Sequence, residues 1–185
     1  MYFTQSQLPL LDLLYQNSYV IPAYQRPYSW CSHGKSNKND QVNQLWSDLL
    51  EAFTENPKEI YFFGSMVTIQ RGERRFEVVD GQQRLTTISL LFAAMKCFFI
   101  WAASQNLIRD EQENFLADKE VENLINAITA NYDEMIFNKG LPSQASKPSE
   151  KKLRIEKFDG FDYDNILKLS MTCTLQQKWA SRLPR

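Results

Sequence analysis

The residues best suited to chemistry lie in one run, Phe76-Glu77-Val78-Val79-Asp80-Gly81-Gln82-Gln83-Arg84-Leu85-Thr86-Thr87. Branched and aromatic residues up to Val79 suit a strand, the glycine suits a sharp turn, and the residues after it suit a helix. The first N–H groups of a helix have no partner within it and the positive end of the helix dipole lies behind them, so such a junction is a ready anion site. Gly81 lets the backbone approach a ligand closely, and Arg84 adds a permanently charged fork that suits a phosphate. Gln82 and Gln83 offer neutral donors and acceptors, while Asp80 could hold a metal-bound water or a ribose hydroxyl. A plainer reading stands beside this one, with Asp80 as a helix N-cap and Arg84 paired with a neighbouring glutamate. The spacing GxxxxGK[ST] is absent, so the junction is not a Walker loop.

A second run, Ile21-Pro22-Ala23-Tyr24-Gln25-Arg26-Pro27-Tyr28-Ser29-Trp30, interleaves aromatics with an arginine in a stretch that holds no acid from residue 18 to 39. Such a run could stack on a base and hold a phosphate, or Tyr24, Tyr28 and Trp30 could simply anchor a loop on the core. His33 is the single histidine and lies near Cys31. One His and one Cys do not make a metal site, and neither a Ser-His-Asp arrangement nor a histidine-metal nuclease pattern surrounds His33. Cys31, Cys97 and Cys173 are odd in number and scattered, which fits neither a disulfide framework nor a zinc cluster and points to a reducing, cytoplasmic setting.

Periodicity supplies the framework around these runs. A helix is expected over residues 8–16 with Pro9 in its first turn, then an extended run over 18–25 that Pro22 and Pro27 confine to a sheet border. Residues 27–40 read as a polar loop. Val42, Leu45, Trp46, Leu49, Leu50 and Phe53 mark one face of an amphipathic helix that Asn56-Pro57 ends. Residues 60–70 and 76–79, joined by Arg71-Gly72-Glu73-Arg74, predict a β-hairpin. A long apolar helix over 82–105 and an acidic helical region over 111–137, broken near Asp118, come next. Residues 139–149 read as a linker, 152–156 as a short strand, 163–169 as a helix, and 174–185 show no period. The apolar stretch 88–103 is interrupted by Ser89 and Lys96 and is short for a membrane helix, so a buried core helix is expected.

The chain has 185 residues, 21 Lys+Arg against 22 Asp+Glu and a net charge of −1. This balance argues against a binder working by bulk charge, yet it hides polarity. Arg26, Lys35 and Lys38 occupy the acid-free stretch, whereas residues 110–134 carry eight acids and one lysine. That distribution suits a polyanion site on one face.

Three motifs in order, Ile21-Pro22-x-Tyr24-Gln25-Arg26-Pro27-Tyr28-x-Trp30, Phe63-Gly64-Ser65-Met66-Val67 and Val79-Asp80-Gly81-Gln82-Gln83-Arg84-Leu85-Thr86-Thr87, resemble the N-terminal domain of GmrSD-type restriction endonucleases. The resemblance is strongest over residues 8–98 and extends to Lys152-Leu153-Arg154-Ile155. It implies a ParB/sulfiredoxin-like α+β fold, with a small mixed sheet, a hairpin and a strand–turn–helix phosphate site, followed by a helical extension. The implied organisation is a nucleotide-binding core over 1–105, the extension over 106–138, a linker over 139–150 and a partial C-terminal segment over 151–185, as if cut from something longer. The implied function is a nucleotide-binding, NTP-hydrolysing sensor of a modification-dependent DNA restriction or anti-phage system, with the nuclease in a separate or downstream histidine-type domain. Nucleotide and phosphate binding falls on Gly81, Gln82, Gln83, Arg84, Thr86 and Thr87. Tyr24, Gln25 and Arg26 form the opposite wall, Asp80 is the candidate for Mg²⁺, and Asp80 and Arg84 are the candidates for catalysis on the NTP, GTP among the candidates. Modified DNA is the implied partner, with no membrane. The alternatives are a non-catalytic DNA-binding module using the same junction, or a truncated remnant.

Overall fold

The computed structural model describes residues 4–31, 40–55, 57–110, 112–138, 150–156 and 159–172. The expectations for His33, for Asn56, for the linker 139–149 and for 174–185 lie outside the described residues. Helix α1, Leu10–Gln16, is preceded by Pro9 as its N-cap rather than containing it. Strand β1, Ser18–Ile21, stops earlier than expected because the chain turns at once, with the Gln25 N–H donating to the Pro22 carbonyl. The amphipathic pattern forms α2, Gln41–Glu55.

The hairpin forms as β2, Val67–Gly72, and β3, Arg75–Asp80, antiparallel with Ile69 opposite Glu77. Residues 60–66 fall outside β2, which corrects the expected strand start. Val67 already faces Asp80, the last residue of β3, so earlier residues have no partner strand, and Gly64 takes a φ of 104° that leaves the extended region. The turn itself is Glu73-Arg74.

Helix α3, Gln82–Ser104, matches the apolar run closely. Helix α4 is shorter than the acidic region, Asp118–Ile136, because the preceding residues are held as a turn. There the Asp110 carboxylate accepts from the N–H groups of Gln112 and Asn114, and Arg109 stacks on Phe115. Two short strands that periodicity did not suggest, β4, Phe137–Asn138, and β5, Glu150–Lys151, pair antiparallel. Strand β6, Leu153–Ile155, and helix α5, Asp159–Thr172, complete the described chain.

The main sheet has the order β2-β3-β1-β6, with β1 parallel to both β3 and β6. Its buried face meets one core in which Leu14, Tyr19, Ile21, Val78, Leu85 and Ala93 pack with Tyr132, Met135 and Ile136 of α4, Leu153, and Tyr163 and Leu167 of α5. The segments expected as an extension and as a partial C-terminal piece therefore share the core of the first hundred residues. By length and composition α3 could cross a membrane. Within the fold, however, its buried residues, Ala93 and Ile100 among them, pack against the sheet and α4. Lys96, which breaks the apolar run, is only 2 % exposed. Its ammonium lies 4.7 Å from the Tyr132 ring centroid and 3.4 Å from Asp133.

Candidate functional site at the β3–α3 junction

Three parallel strands, β1, β3 and β6, end at one edge of the sheet, where open α/β sheets bind ligands outside the carboxyl ends of their strands. At this edge β3 passes into α3 through Gly81, which is the N-cap residue at φ 92°, with no side chain capping the helix. The reading of Asp80 as a side-chain N-cap is thereby corrected, since Asp80 ends β3 and is exposed. A glycine is required at position 81 on two counts. Its φ is positive, and a Cβ there would lie 3.0 Å from Met66 Cγ and 3.4 Å from the Met66 backbone.

The glutamines act inward. Gln82 Nε2 donates to the Arg26 carbonyl at 3.2 Å, and Gln83 Nε2 donates to the Pro27 carbonyl at 3.1 Å. Gln83 Oε1 accepts from the Ser29 N–H at 2.8 Å. The two buried amides thus hang the aromatic loop over the start of α3. The hydroxyls of Tyr28 and Thr87 share a 2.8 Å bond, and burial pushes the Tyr28 phenol up from its ordinary value.

Between loop and helix lies a shallow depression lined by Ile21, Pro22, Gln25, Arg26, Tyr28, Gln82, Gln83, Thr86 and Ile155. Its empty space is about 280 Å³, counting the part open to solvent. Of the expected wall, Gln25 and Arg26 line it and Tyr24 does not. The Tyr24 hydroxyl donates to Glu77 Oε1 at 2.8 Å, across the sheet, where Arg71 also holds Glu77 at 2.8 Å. The Arg71 guanidinium beside it keeps the Glu77 carboxyl below its usual range. Gln25 reaches the carbonyls of Val78 and Val79, fixing the loop to the end of β3.

Arg84 stands outside the depression. Its Nη1 donates to the Phe63 carbonyl at 3.3 Å, and the bare Cα of Gly64 makes room for its guanidinium. The motif Phe63-Gly64 is thus the seat of Arg84, a relation that proximity in sequence could not suggest. Ile155 enters the lining because β6 lies beside β1. Among the described residues no group of three His, Cys, Asp or Glu side chains is arranged to hold a metal ion.

The chain forms a mixed α+β domain, and its sequence relationship points to a component of a restriction and defence system. The model of the family described as "GmrSD restriction endonuclease, N-terminal domain" matches residues 10–182, and the chain belongs to that family. No curated protein matches the chain.

Proposed function

We propose that this domain binds a nucleoside triphosphate with Mg²⁺ at the β3–α3 junction, hydrolyses it, and couples the turnover to recognition of modified DNA. The reading sets the domain in the cytoplasm, with a histidine-type nuclease domain as its partner in cleavage. The observation that carries it is the start of α3. Left-handed Gly81 leaves the N–H groups of Gln82, Gln83 and Arg84 without a side-chain cap at the ends of three parallel strands.

The side chains of Gln82 and Gln83 are engaged by the loop, so phosphate contact falls to these backbone groups, with Arg26 in the lining supplying charge. The depression is shallow and open, so only the phosphate end of a nucleotide would rest in it, with base and ribose over its rim. Mg²⁺ is commonly held by one or two carboxylates together with phosphate oxygens, and Asp80 fits that donor set. When bound, the metal would neutralise charge on the phosphate oxygens.

The test mixes the purified chain with Mg²⁺ and each NTP, following heat of binding and phosphate release. A ligand at one hundred times its Kd adds about 2.7 kcal/mol of stability, which a melting curve also reads. Absence of binding and of release for every NTP would overturn the proposal. The small depression also favours a second reading, a DNA-backbone phosphate seated at the same helix start. DNA affinity that falls steeply with added salt and ignores NTP would mark that outcome.

A further inference from the structure

The loop that follows β1 is fixed to α3 by side chains. Gln82 takes the Arg26 carbonyl, and Gln83 takes two main-chain groups beyond it, donating to the Pro27 carbonyl and accepting from the Ser29 N–H. One amide thus uses both of its ends and brackets Tyr28 between them. Thr87 lies one turn further along α3, and its hydroxyl proton goes to the Gln83 carbonyl at 2.8 Å. In the bond between Tyr28 and Thr87 the tyrosine is therefore the donor. Residues 26–29 are fastened at four points to the first two turns of the helix.

The chemical type of residue 83 matters here. A carboxylate in its place would meet the Pro27 carbonyl with no proton to donate, and a lysine or arginine would have nothing with which to accept from Ser29, whereas an amide serves both. Gln83 is 5 % exposed, so its two bonds are made away from competing water. A neutral clasp also leaves the charge to Arg26, which lines the depression beside Gln82 and Gln83. The Arg26 carbonyl is held by Gln82 and the next carbonyl by Gln83, so the guanidinium springs from a fixed backbone. Fixing a charged group before its ligand arrives removes an ordering cost that binding would otherwise carry.

We infer that Gln83 is a positioning residue, acting on a phosphate ligand through the loop and Arg26 and not by touching it. The inference rests on the phosphate reading of the β3–α3 junction, and it couples residues 83 and 26 in binding. Titration calorimetry of the full chain with inorganic triphosphate measures the coupling. Gln83→Met keeps the length of the side chain and removes both bonds, and it should weaken binding about tenfold with the far-UV dichroism unchanged. In an Arg26→Ala background the same change should cost less than about twofold, because the group it positions is gone. Tyr28→Phe, which loosens the loop from its own side and leaves Gln83 in place, should weaken binding about threefold and lose its effect in that background. Without ligand, hydrogen exchange at the Ser29 amide should be about tenfold faster in Gln83→Met and unchanged in Arg26→Ala. Gln83→Met that binds as the parent does, or losses for Gln83→Met and Arg26→Ala that multiply, overturns the inference while the site stands. So does Ser29 exchange that Gln83→Met leaves unaltered. A parent chain that binds no triphosphate overturns the reading of the site, and this inference with it.

Discussion

Gly64 and Arg84 form a mutual fit that decides how the site can be tested. A Cβ at Gly64 would fall 1.6 Å from Arg84 Nη1, at a φ of +104°. Gly64→Ala should therefore displace the guanidinium and add backbone strain of about 1–2 kcal/mol. Combined with Arg84→Ala, the same substitution should cost less than it does alone, because the crowded group is gone, and melting of the four proteins as a double-mutant cycle measures the difference. Arg26→Ala, in the lining of the depression, should weaken nucleotide binding by about tenfold or more with the far-UV dichroism intact, which titration calorimetry reads.

Tyr19 supplies a pH marker at the same scale. Burial pushes its phenol up to about 12, above the unfolded value of 10, so the neutral form is favoured in the fold. Its contribution is complete below pH 10 and is lost as pH rises through about 12. The melting temperature should fall over that window, and Tyr19→Phe should flatten the fall. The strand–turn–helix junction was legible, because Gly81 separates a branched run from a helical one; the inward turn of Gln82 and Gln83 onto the loop was not. The direction in which Tyr24 points was not. Glu77 and Arg71, which hold it, belong to a strand face that sequence spacing alone does not connect to the loop.

At the scale of elements, two buried lysines tie neighbouring segments together by different means. Lys152 donates to the carbonyls of Leu14 at 3.0 Å and Tyr15 at 2.6 Å, capping the C-terminal end of α1 with a cation. Lys152→Ala should remove these charge-assisted bonds and cost about 2–3 kcal/mol, which differential scanning calorimetry would read as a melting point lower by roughly 4–10 °C. Lys96 relies instead on the Tyr132 ring and on a half-exposed Asp133. Removing the ion as Lys96→Met should be close to neutral, while Asp133→Ala, which strands the ammonium, should cost more. Urea titrations of both variants would reverse that order if Lys96 were a net source of stability.

The amphipathic and apolar periods made α2 and α3 legible to within one or two residues. The start of β2 was misjudged because aromatic and branched residues at 60–63 look like strand residues, and only the length of β3 decides where pairing can begin. The strands β4 and β5 have two residues each, too few for any alternation to show.

The molecule as a whole is joined by pairings that no local pattern could reveal. Tyr19 sits beside Leu153 and Ile21 beside Ile155, across more than a hundred residues of chain. Sequence reading separated a nucleotide-binding core from later segments because the family resemblance is strongest over residues 8–98 and a linker-like stretch follows at 139–149. The sheet crosses that division, since the strand completing its parallel edge comes from after the acidic helix. A fragment ending at Asn138 should thus expose the β1 edge and aggregate, rather than fold as a smaller domain, which light scattering of that fragment would show.

The same pairing sets when the protein can become itself during synthesis. Until residue 155 has left the ribosome, β1 has no neighbour on its outer side and the core lacks Leu153, Tyr163 and Leu167. The long loop between β1 and β6 must close before its contacts reward it, so folding waits for β6 and is slowed by its own topology. The nascent chain would carry α3 uncovered for most of that time, making the interval before β6 emerges the point of greatest dependence on chaperones.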